Sequence, residues 1–425
     1  MEPAQIVASE AAAAGAVAGD PRAALVMAFG RTYHQSGVPS DQLEEIMHRV
    51  AAAVDLELQV MALPTSITAA TGTGAAQRVV LLRLEPGPID LGRLSLLNIL
   101  FDRTVAGRIS TAAALAEVER IGGISQAVHP ALAIAAYSTF STAVSVLLGG
   151  QAHEILASFT IGIVVGAVYV LARKVAAIDR LFEVLAGFFA TVVVTLFAAE
   201  LQPLAIYIPI VAGVVQVLPG AQLTAALHEL AYRNLVAGTS RLGSVLMTLL
   251  SLGCGFALGI AVIGPGALHA TRIAYARTPW TWLALAVFGV ALGIAILENA
   301  RARDFPWVLG SCAVAEIAYR IFENTPAFQV ATFGAALAVG VLANVGARYA
   351  RIPQAVLLIP GVLIIVPGAL SYESILFILQ SNASDAASIA LNAVIAAVEI
   401  VSGLLLSQLF FAPRRRTLRP LRESS

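Results

Sequence analysis

The sequence predicts an α-helical polytopic membrane protein, with ten transmembrane helices arranged as two inverted five-helix repeats behind a small cytoplasmic α/β domain. Three observations lead to this fold class. The chain is 58% hydrophobic and only 12% charged, whereas soluble proteins have about 45–50% apolar and about 25% charged residues. Ten apolar stretches follow residue 129. The pentapeptide that begins at Val217 recurs in similar form at Ile365, 148 residues later.

The N-terminal part, before the apolar stretches begin, predicts a compact α/β domain over residues 21–128. Residues 1–20 are Ala-rich and acidic and lack the basic start of a signal peptide, so we interpret them as a disordered lead. Helix caps and turn residues then predict two helices, three short strands and two more helices. The expected helices are 23–35, 42–54, 90–106 and 110–121, and the expected strands are 57–63, 66–71 and 77–84.

The apolar stretches that follow are mostly of a length that can cross a bilayer, which takes a helix of about 20 residues. Five of them form a first predicted membrane repeat, 129–275, and five form a second, 276–412, followed by a basic cytoplasmic tail, 413–425. The stretches lie near 130–149, 154–172, 182–201, 204–218, 242–264, 280–298, 305–321, 327–347, 354–369 and 387–411.

The Lys and Arg residues of the loops predict the orientation. With a cytoplasmic N-terminus, fourteen of them lie in inside loops and the C-terminal tail and three lie outside, as the positive-inside rule requires. Both termini are therefore expected in the cytoplasm and the protein in the cytoplasmic (inner) membrane. Because each repeat has an odd number of spans, the second repeat is inverted relative to the first. A net charge of zero gives no attraction to nucleic acid.

Pro219-Gly220 and Pro367-Gly368 close the fourth and ninth apolar stretches. Helix-breaking pairs at corresponding places in two hydrophobic halves are typical of secondary transporters. The shared register carries this argument, since a third Pro-Gly-Ala at 265–267 lies outside it. We expect full crossings made of broken helices, with the first break near the cytoplasmic face and the second near the external face.

Three stretches resemble the threonine/serine exporter family, in its fused form with a soluble domain and two five-span halves. They are Phe29-Gly30 through Ile67, Val217 through Leu242, and Ile359 through Ala369. The resemblance implies export of threonine and serine. Some split relatives in the family are implicated in dicarboxylate export, so a succinate-like substrate is the alternative.

The Pro-Gly pairs are the main candidates for a substrate site. Proline leaves a carbonyl without its helical partner, glycine permits close approach, and half-helix N-termini attract carboxylates. The alternative is that these residues only kink packed helices. The substrate-binding candidates are Pro219, Gly220, Gln216, Pro360, Gly361, Pro367 and Gly368, with Asn344 as a further polar residue.

Glu316 and Glu399 lie in the middle of the seventh and tenth stretches. An acid at this depth costs roughly 2.5–3.5 kcal/mol on insertion scales and marks ion or proton paths. We therefore predict that both acids couple export to proton antiport, with sodium as the alternative ion. A structural pair, or an acid that hydrogen-bonds two helices together, is the other interpretation.

Hydroxyl groups line one face of the first span at Ser138, Ser141 and Thr142. This face would suit a polar substrate, but small polar residues also form packing seams between membrane helices, and we favour the seam.

The α/β domain offers no recognised catalytic set, phosphate loop or metal-ligand spacing. His34 and His48 are isolated in sequence and expected in surface or capping roles. We therefore predict a transporter without a cofactor, not an enzyme, whose partners are the amino acid, the proton and the lipid bilayer. A homo-oligomer is compatible with the sequence. The alternative of another class is a membrane-anchored hydrolase, which would need a nucleophile–His–acid set in the N-terminal domain.

Overall fold

The computed structural model describes residues 20–72, 77–85, 87–124, 128–201, 204–263, 278–323, 329–350, 352–365 and 383–410, with backbone only for 383–390. The N-terminal elements are α1 (Pro21–His34), α2 (Ser40–Ala53), β1 (Leu58–Leu63), β2 (Ser66–Thr71), β3 (Arg78–Arg83), α3 (Leu91–Val105) and α4 (Thr111–Gly122). We call these seven elements the α/β part.

The α/β part is built around one antiparallel sheet of order β1-β2-β3, whose inner face packs on its helices. Phe29, Leu43, Ile67 and Leu97 are fully buried in this core. Each predicted helix and strand is present within two residues of its expected bounds, because the caps and turns that define them are local signals. The Asp90 carboxylate, for example, accepts the Arg93 N–H at 2.7 Å and so begins α3.

Two local expectations in the α/β part were wrong. The pair Ser40-Asp41 predicts a cap for the second helix, but Ser40 is the first residue of α2, and the capping residue, Pro39, makes no side-chain bond to the helix. His34 is buried and not at the surface, with Nε2 3.3 Å from the Leu63 carbonyl oxygen. Burial lowers the pKa of the His34 imidazole, which keeps the ring neutral near pH 7.

The apolar stretches fold into eight helices that are long and apolar enough to cross a membrane, among the described residues, together with two shorter ones. The elements are α5 (Pro130–Leu147), α6 (Ala152–Ala172), α7 (Ala176–Asp179), α8 (Phe182–Glu200), α9 (Tyr207–Val214), α10 (Gly220–Ala231), α11 (Leu235–Ile263), α12 (Trp280–Leu297), α13 (Phe305–Phe322), α14 (Gln329–Val345), α15 (Gln354–Ile365) and α16 (Ala383–Phe410). The fourth and ninth stretches give the shorter helices, α9 and α15.

The two halves of the membrane part pair their helices in the same pattern. In the first half, α8 packs against α6 and α11, and the short α9 contacts both α6 and α8. In the second half, α14 packs against α13 and α16, and the short α15 contacts both α13 and α14. Counted along the chain, each of these contacts joins helices that have the same positions in the two sets of five.

Glycine contacts repeat between the halves at the level of single residues. A Cβ atom at Gly255 in α11 would overlap the carbonyl oxygen of Val184 in α8. A Cβ atom at Gly403 in α16 would lie 2.6 Å from the carbonyl oxygen of Phe333 in α14. The two glycines are 148 residues apart and the two carbonyls 149. Only glycine allows helix backbones to approach this closely, so the same packing device serves both halves.

The α/β part is docked onto the ends of several membrane helices. The Leu91 N–H at the start of α3 donates to the Glu298 carbonyl oxygen beyond the end of α12, at 2.8 Å. Ala355 and Ile359 of α15 pack against the α/β core. These contacts join the N-terminal elements to the second half of the chain.

Candidate functional site

The fourth apolar stretch is a broken helix. The first segment, α9, ends at Val214, a turn follows in which the Val217 N–H donates to the Val214 carbonyl oxygen at 2.8 Å, and α10 begins at Gly220. Pro219 stands immediately before α10, where its missing N–H costs no helical bond. The first N–H groups of α10 thus face the break, and they carry the positive end of the helix dipole.

The helix that follows this break lies among packed helices. Leu223, one turn past the break, shares a hydrophobic cluster with Val245 of α11 and Ala397 of α16. At the far end of α10, the Tyr232 hydroxyl is 3.4 Å from Gln408 Oε1 of α16. The helix α10 therefore runs along α16, and its 12 residues separate the break from that end by about 18 Å.

The expectation that Pro219-Gly220 lies near the cytoplasmic face comes from the count of full crossings and the charges of the loops, and it stays a prediction. One side of α10 packs against α11 and α16, which places α10 inside the helix bundle.

Glu399 lies two residues beyond Ala397 on α16, and so close to the level of the break. The Thr332 hydroxyl of α14 hydrogen-bonds its carboxyl group. The second carboxyl oxygen, Oε2, is buried and has no hydrogen-bond partner among the described residues. Glu399 is thus an acid in an apolar helix, and its hydrogen-bond partner is a neutral hydroxyl group.

Glu316 has a different environment, because Arg320 pairs with it one turn along α13. The distance from Arg320 Nε to Glu316 Oε1 is 2.7 Å. The same guanidinium lies 3.1 Å from Glu323 Oε2 and donates to the Leu147 carbonyl oxygen of α5 at 3.3 Å. The charge of Glu316 is therefore balanced within the structure. Tyr319 lies within electrostatic range of both Glu316 and Glu399, so the two acids belong to one region.

The Pro360-Gly361 pair lies inside α15, against α13. The Ser311 hydroxyl donates to the Leu357 carbonyl oxygen, and Cys312 Sγ lies 3.7 Å from the Pro360 carbonyl oxygen. A Cβ atom at Gly361 would meet Ser311 Oγ at 2.5 Å. Side chains of α13 thus bond carbonyls around this proline, where the helical ladder is interrupted.

Sequence reasoning missed Ser311 and Cys312, although two adjacent small polar side chains in an apolar span were a usable signal. The corresponding glycine of the first half, Gly213, lies 148 residues before Gly361 and packs on Ile161 of α6. The contact at Gly213 is thus apolar, whereas the contact at Gly361 is polar.

The hydroxyl face of α5 lies in the seam between α5 and α6. The Ser138 hydroxyl donates to the Phe159 carbonyl oxygen at 2.9 Å, and the Thr142 hydroxyl donates to the Ser138 carbonyl oxygen at 2.7 Å. Ser141 is buried. In this conformation the hydroxyls of Ser138 and Thr142 donate hydrogen bonds to backbone carbonyls.

The remaining predicted residues are dispersed. Gln216 is half-buried in the turn between α9 and α10. The Asn344 amide donates to the Ser407 carbonyl oxygen at 3.2 Å and accepts from Gln354 Nε2 at 2.9 Å, so it links three helices. Pro367 and Gly368 fall outside the described residues.

Comparison with known protein families assigns the chain. A model of the threonine/serine exporter ThrE matches residues 24–263, and a second, "Threonine/Serine exporter, ThrE", matches residues 283–410. The chain belongs to the threonine/serine exporter family. The first match covers the α/β part together with the first five apolar stretches, and the second covers the other five. The family that these two models describe is one of membrane exporters.

Curated relatives of this family member come from yeasts and related fungi, and each of the following is called pheromone-regulated membrane protein 10. The Kluyveromyces lactis protein is 24% identical over 90% of this chain and 43% of its own length. The Eremothecium gossypii protein is 24% identical over 88% and 52%, and the Candida glabrata protein is 26% identical over 81% and 45%. The chain thus spans about half the length of these relatives or less. No solved structure matches it.

Proposed function

We propose that this chain is a secondary active exporter that moves threonine, serine or similar small polar amino acids across the cytoplasmic membrane by proton antiport. The observation that carries the proposal is the interior break at Pro219-Gly220, which lies close to the level of Glu399. Family membership supplies the class of transporter and substrate. The ten crossings and the inverted repeats that contain this site are part of the same proposal.

We infer ten crossings, of which the fourth and ninth are broken, in two inverted repeats over 129–275 and 276–412 behind a cytoplasmic α/β domain over 21–128. The shared helix pairing and the matching contacts of Gly255 and Gly403 support the duplication. The odd number of spans per repeat supports the inversion, and both termini are then cytoplasmic.

The substrate site consists of backbone groups freed at the breaks, with Gln216 beside them. The N-terminal N–H groups of α10, next to Pro219 and Gly220, receive the substrate carboxylate, because a helix N-terminus favours an anion. The substrate ammonium binds carbonyls at the breaks. We extend this role to Pro360-Gly361 and Pro367-Gly368 of the second repeat, and we assign Ser138, Ser141 and Thr142 to helix packing.

Glu399 is the proton carrier in this proposal. Its carboxyl group has a neutral hydrogen-bond partner and one free oxygen, so it can gain and lose a proton without breaking an ion pair. Glu316 shares the region but is paired with Arg320, and it contributes a fixed charge beside the carrier. Alternating access would open the break to one face and then to the other.

Efflux from proteoliposomes tests the proposal. Vesicles loaded with labelled threonine, serine or succinate receive an imposed pH gradient, and loss of label is followed. We expect threonine and serine to leave faster with the gradient than without it, and succinate to stay. The interior Arg320 is already bound by two glutamates, which disfavours a dicarboxylate substrate.

The matched variants are Gly220→Val at the break and Gly243→Ala, whose added Cβ would have no atom within 4 Å. Gly220→Val should stop efflux and Gly243→Ala should preserve it. Retention of all three labels by the wild type would contradict the transport proposal.

A further inference from the structure

Glu229 is a fully buried acid near the end of α10. Both of its carboxylate oxygens lie 3.0 Å from Arg241 Nε of α11. Its Oε1 also accepts the backbone N–H of Ser40, the first residue of α2, at 3.1 Å. One carboxylate thus joins the broken fourth helix, the following membrane helix and the α/β part.

The contact with Ser40 completes a helix that has no cap of its own. Pro39, which precedes α2, makes no side-chain cap bond, and the first N–H groups of a helix need an outside acceptor. A carboxylate suits this place because it also faces the positive end of the helix dipole. Beside it, His228 Nδ1 lies 3.5 Å from Asp41 Oδ2, so a second polar contact crosses the same junction.

The α/β part therefore contacts both α10, which follows the break in the fourth stretch, and the short helix α15. It holds the far end of α10 through Glu229, and its core packs on Ile359, the residue before Pro360 in α15. Any displacement of α10 relative to α15 must move the α/β part or break the bond between Glu229 and Ser40.

We propose that Glu229 is a positioning residue for transport, which links α10 to α2 so that the α/β part sets the position of the second segment of the broken fourth helix. The consequence for flux rests on the proposed function, whereas the mechanical link does not. The α/β part then takes a direct role in the transport cycle, beyond stabilising the fold.

Ser40→Pro isolates the link. Proline fits the first position of a helix, and Pro39 already has the extended backbone, with ψ of 153°, that a residue before proline requires. The variant therefore removes the donor to Glu229 and leaves α2 intact. Thr111→Pro is the matched control, because it is also a first helical residue, follows Ser110 with ψ of 154°, and lies in α4, which packs on α1 and α3.

Hydrogen–deuterium exchange of the full-length protein in nanodiscs measures the link without any assumption about transport. We expect the amides of α10 to exchange about tenfold faster in Ser40→Pro, the size expected for losing one hydrogen bond to a charged group, and Thr111→Pro to match the wild type. Glu229→Gln retains an acceptor for Ser40 and loses the ion pair, so its exchange should fall between the two. Equal exchange in all four proteins overturns the link.

Threonine efflux measures the positioning role. We expect Ser40→Pro to lower the maximal rate several-fold at an unchanged KM. Glu229→Gln should lower the rate less, and Thr111→Pro should leave it unchanged. Faster exchange at α10 with wild-type efflux overturns the positioning role, because the link would then be structural only. If Ser40→Pro does not fold, Glu229→Ala decides in its place, because Glu229→Ala and Glu229→Gln both lose the ion pair but only Glu229→Ala loses the acceptor for Ser40. Equal exchange and equal efflux in these two variants would then overturn the link. A wild type without efflux overturns the proposed function, and the exchange data still decide the link.

Discussion

At the scale of residues, two acids that look alike in sequence have different partners. Glu316 and Glu399 both stand in the middle of apolar stretches, but Glu316 forms an ion pair with Arg320. Glu399 instead bonds the Thr332 hydroxyl, and its second carboxyl oxygen has no partner in the part of the chain that the structure describes. A buried ion pair resists loss of either member because the other charge is then left unpaired. This contrast is the reason why we propose Glu399, and not Glu316, as the proton carrier.

Glu399→Gln should abolish the dependence of efflux on the pH gradient, because an amide cannot take up the proton. Glu316→Gln should retain that dependence and lower the stability of the folded protein by about 1–3 kcal/mol, since Arg320 loses a charged hydrogen-bond partner. Flux with and without a pH gradient, together with thermal unfolding in detergent, measures both effects. Glu117→Gln, in the exposed surface pair with Arg120, is the control. Gradient-dependent flux in Glu399→Gln would show that another group carries the proton.

At the scale of elements, the two halves are assembled with the same devices. The helix pairs α8–α11 and α14–α16 approach closely at Gly255 and Gly403, 148 residues apart. The short helices α9 and α15 each lie against two long neighbours of their own half. The duplication that we propose would account for these paired contacts, since packing constraints at the same places select the same small residue.

Gly255→Ala and Gly403→Ala should each destabilise the protein by about 1–3 kcal/mol, because an added methyl group forces tightly packed backbones apart. Gly243→Ala, in the same helix as Gly255 but with open space around it, should be neutral or should stabilise by about 0.5–1 kcal/mol. Thermal unfolding of the three purified variants checks the series. A Gly255→Ala protein as stable as Gly243→Ala would argue against close packing of α8 and α11.

At the scale of the whole molecule, the α/β part contacts the ends of helices from both halves. Its partners are Glu229 near the end of α10, Glu298 after α12, and Ala355 and Ile359 in the first half of α15. In the proposed topology all of these belong to loops or helix ends on the cytoplasmic side. The docking pattern and the distribution of Lys and Arg therefore agree on one orientation.

Cysteine labelling tests this orientation. In a chain with Cys254→Ser and Cys312→Ser, Glu200→Cys at the end of α8 should react with a membrane-impermeant maleimide on intact cells. Lys174→Cys, after α6, should react only once the membrane is permeabilised. Both positions are exposed, so access to the label depends on the side of the membrane. The reverse pattern would place both termini outside.

The sequence by itself determined the class of a mostly helical polytopic membrane protein, the α/β elements within two residues and the place of the break at Pro219-Gly220. These features depend on composition, hydrophobic runs, caps and Pro-Gly pairs, which act over a few residues along the chain. It also selected Glu316 and Glu399, since an acid in an apolar span is visible locally.

Only the tertiary structure decided what these residues touch. It showed that the hydrogen-bond partner of Glu399 is neutral, that the helix after Pro219-Gly220 packs inside the helix bundle, and that Ser311 and Cys312 lie beside Pro360. It also joined Glu229 to Ser40, 189 residues away in sequence. Contacts of that separation arise from the packing of whole helices, and no local pattern in the chain specifies which distant donor a buried carboxylate will meet.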